Sequence, residues 1–106
     1  MSLETTSSVD AVGIENESGF AVLTIMDSWD WSDERNHLLA LQAKINAYFQ
    51  FIEGGQIWIS YPAAIGRTIV IEVVCRFPLP NSATKLLHSA NNVAADLDVA
   101  VRHRMA

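Results

Sequence analysis

One stretch limits the possible folds of this chain more than any other. Leu38, Leu41, Ile45, Tyr48, Phe49 and Ile52 recur at helical spacing and lay a single apolar stripe along one face of a long helix. An acidic, tryptophan-bearing turn (Asp27, Trp29, Asp30, Trp31, Asp33, Glu34) leads into it, and Gly54-Gly55 end it. Asp30 and Ser32 are both good N-cap residues, and Asp33 and Glu34 then fall in the first turn, where carboxylates meet the positive end of the helix dipole. Glycine follows because it reaches the left-handed conformation beyond a helix end without strain. A stripe on one side does not by itself offset the entropy of ordering so many residues. The helix therefore needs a sheet to lie on.

The rest of the chain supplies one. Residues 9–14 and 20–26 are β-compatible and flank the turn cluster Glu15-Asn16-Glu17-Ser18-Gly19, which reads as a hairpin. In the second run Ala21, Leu23 and Ile25 face one way, and Phe20, Val22, Thr24 and Met26 the other. Residues 68–77 form the clearest strand, with Ile69, Ile71, Val73, Cys75 and Phe77 on one face and Thr68, Val70, Glu72, Val74 and Arg76 on the other. Pro78 and Pro80 stop it, having no N–H for a ladder. Asn81 or Ser82 opens a second helix with Leu86, Leu87, Ala90, Val93, Ala94 and Leu97 as its stripe, and alternation resumes for a last strand near Val99. Residues 56–66 mix strand-like Ile57, Trp58, Ile59 and Tyr61 with Pro62 and Gly66, and read as an ordered connection with a short strand or helical turn. The order β-β-α-β-α-(β) predicts an α+β two-layer sandwich, with both helices on one face of a mostly antiparallel sheet.

With 106 residues, half of them hydrophobic and 18% charged, the chain is sized for one folded domain. Residues 1–8 read as a tail, disordered or left over from cloning, and residues 9–106 as the domain. A net charge of −5 disfavours nucleic acid and anionic membranes, both of which select clustered Lys and Arg. The single cysteine excludes an internal disulfide and fits a reducing compartment, and no apolar run has the length of a membrane span. With no secretory signal at the N-terminus, the expectation is a cytoplasmic protein.

Several blocks together resemble an uncharacterised family of small bacterial domains of unknown function, about a hundred residues long. The carrying residues are Val12-Gly13-Ile14, Val22-Leu23-Thr24-Ile25 and Asp27-Ser28-Trp29-Asp30-Trp31, followed by Glu34 and the helix residues His37, Leu38, Leu39, Leu41, Gln42, Lys44, Ile45, Asn46, Ala47 and Tyr48. Phe51-Ile52-Glu53, Gly55-Gln56, Tyr61-Pro62, Gly66-Arg67 and Ile71-Glu72-Val73-Val74-Cys75 complete the pattern. The resemblance implies a fold and a bacterial origin, and brings no reaction, substrate or catalytic residue.

The candidate chemistry is concentrated at the acidic turn. Asp33 and His37 are four apart on the helix and can share a face with Asp30, a geometry compatible with a divalent cation. The plainer reading is that these acids cap the helix and His37 points to solvent. Trp29, Trp31, Trp58 and Tyr61 suit a core edge, an interface or a pocket beside Asp27, His37 and Arg67. Arg67 is placed to hold a ligand carboxylate or to pair with a surface acid. Cys75 alternates with core positions and reads as an inert hydrophobe, and no catalytic, phosphate-loop or cofactor motif is present. His88 and His103 have no triad partners in the sequence, and Arg102-His103-Arg104 reads as the charged end of an edge strand.

These residues predict a non-catalytic interaction or accessory domain that self-associates, as a homodimer, through the second sheet face bearing Val22, Met26, Val70 and Val74. The alternative is a small-molecule or divalent-metal binding protein, an enzyme included, using Asp27, Trp29, Asp30, Trp31, Asp33, His37 and Arg67. A third expectation is an immunity-like partner of a basic protein, attracted by the acidic balance.

Overall fold

Strand β1 (Ala11–Ile14) and strand β2 (Ala21–Asp27) form the expected hairpin in the computed structural model, which describes residue 3 and residues 9–106. Helix α1 (Glu34–Glu53) follows, then the short helix α2 (Gln56–Ser60), a 3-10 turn (Pro62–Ala64) and strand β3 (Ile69–Cys75). Helix α3 (Asn81–Ala95) and strand β4 (Val99–Met105) complete the chain. The four strands lie in sequence order, β1-β2-β3-β4.

The sheet is mixed, which corrects the expectation of a mostly antiparallel one. Only β1 and β2 run antiparallel; β2 with β3 and β3 with β4 are parallel. The reason lies in the connections. Helices α1 and α2 stand between β2 and β3, and α3 between β3 and β4. A crossover of that length returns the chain to the end of the sheet where the preceding strand began, so the next strand runs the same way. Residues 56–60, strand-like in composition, are helical; five residues are too short for periodicity to separate the two states.

The two sheet faces differ as the alternation predicted. Leu23, Ile25, Ile71 and Val73 are fully buried in one cluster with Leu41, Ile45, Tyr48 and Ile52 of α1 and Leu87, Ala90 and Ala94 of α3. Leu3 belongs to the same cluster, so the leading segment set aside as a tail contributes a buried side chain; its other residues, within 1–8, lie outside the described residues. β3 ends at Cys75, and Phe77, assigned to its inner face, is on the surface. Val93, expected in the stripe of α3, is also exposed. Neither α1 nor α3 begins at its expected cap. Asp33, rather than Asp30 or Ser32, caps α1, its carboxylate accepting from the Asn36 amide. Pro80 precedes α3 without a side-chain cap. Gly55, at φ 80°, makes the left-handed turn out of α1 that the Gly-Gly pair predicted. No helix among the described residues is long and apolar enough to cross a membrane.

Candidate functional site

The acidic turn is built around His37, and His37 is buried rather than turned to solvent. It sits one turn into α1, where the helix leans against the C-terminal end of β2. Its Nε2 lies 2.6 and 2.8 Å from the two carboxylate oxygens of Asp27, and its Nδ1 lies 2.9 Å from the Asp30 carbonyl. The Trp31 ring stacks on the imidazole at 3.5 Å between centroids, and Trp29 tilts against it at 5.5 Å. Each ring nitrogen faces an acceptor, so the hydrogen bonds hold two protons. Either both are on the imidazole, or one is on the ring and one on the Asp27 carboxyl. A general base needs a nitrogen open to substrate, and a metal ligand needs a free lone pair. This geometry offers neither.

The neighbouring acids are similarly engaged. Asp27 also accepts from the Trp29 amide. Asp30 accepts from the Ser32 hydroxyl at 2.6 Å and from its amide, and these bonds hold its carboxyl below the usual range. Asp33 accepts from the Asn36 amide and side chain. Among the described residues, no three His, Cys, Asp or Glu side chains are grouped to hold a metal ion. An open depression of about 630 Å³ lies beside the turn, lined by Trp29, Asp30, Ser32, Asp33, Asn36 and His37. The structure thus brings together Asp27, Trp29, Asp30, Trp31, Asp33 and His37, as the sequence reading grouped them. It does not add Arg67, whose guanidinium donates to the carbonyls of Ala63 in the 3-10 turn and of Gly19 in the β1–β2 turn, at the opposite end of β2 from Asp27. Trp58 and Tyr61 pack half-buried on the core near α2 rather than beside His37.

A second polar cluster escaped the sequence reading. Lys44, on the buried face of α1, is fully enclosed, and its Nζ lies 3.0 Å from Asp10 Oδ1. Asp10 Oδ2 accepts from the Met26 amide, the Asp10 amide donates to Tyr48 Oη, and that hydroxyl donates to the Thr24 carbonyl. The network fastens the hairpin to α1 through groups that all have partners, the condition under which buried charge is tolerated. Its one sequence signal is the position of Lys44, between Leu41 and Tyr48 on the apolar stripe. Cys75 is buried next to Asp27, and burial, with the Asp27 charge adding to it, pushes the thiol up to about 11. Such a thiol is protonated at neutral pH and is no nucleophile.

The second face of the sheet is the other candidate, and no element among the described residues covers it. Pairing sets three rows across it: Gly13, Val22, Val70 and Ala100; then Ala11, Thr24, Glu72 and Arg102; then Met26, Val74 and Arg104. Of the four residues assigned to an interface, Met26 is 47% exposed and Val22 half-buried. Val70 and Val74 are on the expected face but already buried, which corrects their assignment as free surface. They sit on a central strand between Val22 and Ala100 on one row and Met26 and Arg104 on the other, and the Arg102–Glu15 ion pair, which joins β4 to the end of β1, crosses the face over β2 and β3. Charge is balanced across the middle: Arg102 donates to Glu15 and Glu72, and Arg104 to Glu72. Ser18 and Arg102 hold the Glu15 carboxyl below the usual range.

Gly13 stands out on this face. It lies inside regularly paired β1, its φ is not positive, and a Cβ added there would meet nothing within 4 Å. A shallow groove of about 310 Å³ runs over it, lined by Ala11, Gly13, Glu15, Val22 and Thr24. Glycine weakens a strand, and in strand interiors it marks a bulge, a bend or the close approach of another backbone. β1 has no bulge, so nothing among the described residues calls for glycine there.

Among the described residues, fold and clusters together define an α+β domain with a mixed sheet covered by helices on one face, internally satisfied polar groups and no element over the other face. The model of DUF6572, a family of unknown function, matches residues 1–106, and the chain belongs to that family. No curated protein and no solved structure matches it.

Proposed function

We propose that the chain is a non-catalytic interaction domain whose working surface is the open face of its sheet. Gly13 carries the reading: a residue unfavourable to its strand and unexplained by its surroundings is accounted for by something that docks over it. The consumption of every acid at the Trp-rich turn by internal hydrogen bonds supports the non-catalytic part. The test is to replace the glycine with a good strand former. Gly13→Thr should stabilise the isolated protein, because the backbone there is ordinary and the space is open. A loss of stability would mean that glycine serves the fold itself, and the reading would fall.

A second reading, small-molecule binding in the depression at the start of α1, is favoured by the size of that depression and by the half-buried Trp29 on its wall. Its ligand would bind at Trp29 and Asn36 rather than at the acids. A metabolite panel that leaves the tryptophan fluorescence unchanged rules it out.

A further inference from the structure

We propose that His88 and His103 form a two-histidine site for a divalent transition-metal ion, in the groove between α3 and the outer edge of β4. The two residues stand on separate elements, and the fold brings them to one place. A groove of about 200 Å³ runs there, lined by Thr84, Leu87, His88, Asn91, Val101 and His103.

The level of each wall follows from one hydrogen bond. β4 is the outer strand of the sheet, and the Asn91 side-chain oxygen accepts from its Val101 amide at 2.9 Å. The chain doubles back between Ala95 and Val99, so α3 and β4 run in opposite directions. Three residues back along the helix from Asn91 is His88, about 4.5 Å away along the axis. Two residues on along the strand from Val101 is His103, about 6.6 Å in the same direction. The two imidazoles therefore stand at nearly the same level on opposite walls. Thr84, His88 and Asn91 share one face of α3 at helical spacing, and His103 alternates with Val99 and Val101, which pack into the core.

The chemistry is that of a borderline ion. Both imidazoles are exposed, and among the described residues neither ring has a hydrogen-bond or ion-pair partner. His37 differs, because both of its nitrogens face acceptors. A neutral imidazole with an open lone pair suits zinc, copper and nickel. Two of them chelate one ion, and waters fill its other positions; at about 30 Å³ for each water the groove has room for them. No carboxylate lines the groove, which disfavours magnesium and calcium. Repelling charge is also turned away. Lys85 lines the groove on the α1 side of the helix, and Arg102 and Arg104 bond to Glu72 on the opposite face of the sheet.

Calorimetric titration of the tag-free chain with zinc chloride at about pH 7.5, where free imidazole is neutral, tests the site. One ion per chain should bind. His88→Gln and His103→Gln should each weaken binding at least about tenfold, because the second ligand of a chelate acts at high effective concentration. Both side chains are exposed, so circular dichroism should stay unchanged. Zinc should raise the melting temperature of the wild type and not of the variants, since the ion binds the folded state alone. At about pH 5.5 binding should disappear as the imidazoles take up protons. Absence of saturable binding by the wild type overturns the site. A variant that binds as tightly as the wild type also overturns it, because the ion would then lie elsewhere or on one histidine.

Discussion

His37 is held at three points: the Asp27 carboxylate, the Asp30 carbonyl and the face of Trp31. His37→Ala leaves Asp27 in a buried position without its main partner, a change that costs about 3–5 kcal/mol when one member of a buried charged pair is removed. Asp27→Asn keeps a hydrogen bond to a neutral ring and should cost about 1–3 kcal/mol. Urea unfolding of both variants checks the order; equal losses would mean that stacking, not the pair, anchors the turn. Cys75 supplies a pH signature. Its folded thiol titrates at about 11 against an ordinary 9.0, so the folded state keeps the proton longer than the unfolded chain. The associated stability is complete below pH 9 and is lost as pH rises toward 11. Burial also shifts the Tyr48 hydroxyl upward, which extends the decline to higher pH. Stability measured from pH 7 to 11 should be level at first and then fall, and Cys75→Ala should flatten the first part of that fall. An unchanged slope in the variant would remove Cys75 from the account.

At the level of elements, the C-terminal end of α1 and the alternation of β2 and β3 were legible because each follows from local pattern. The N-cap was not. Asp30, Ser32 and Asp33 share the chemistry of a cap, and only the chain path decides which carboxylate meets the Asn36 amide. The burial of His37 and Lys44 was hidden for a related reason. Their partners are Asp27 and Asp10, one before the turn and the other on the hairpin, and neither pairing follows from helical spacing. β1 carries the prediction at this scale. Gly13→Thr replaces the weakest strand residue with a strong one on an open surface, and the gain should be about 0.5–1 kcal/mol. Thermal unfolding at low concentration measures it without interference from association.

For the whole molecule, the Asp27–His37 pair and the Asp10–Lys44–Tyr48 network fasten α1 to the sheet at two places along its length. Among the described residues the opposite face has no such cover, and it is the surface we propose for a partner. Sedimentation of wild type against Gly13→Arg tests whether that surface associates: a mass that rises with concentration in the wild type and stays monomeric in the variant is the expected result if the partner is a second copy. The sequence by itself determined the two long helices and the four strands, most of the apolar side of each, and that both long helices need one shared sheet. Period and turn chemistry are local, and every residue reports them to its near neighbours. Tertiary structure alone decided that Val70 and Val74 are sealed by adjacent strands, that His37 and Lys44 turn inward, and that Gly13 has open space above it. Those facts depend on which distant segments meet, and the sheet order that brings them together is set by the packing of the whole chain.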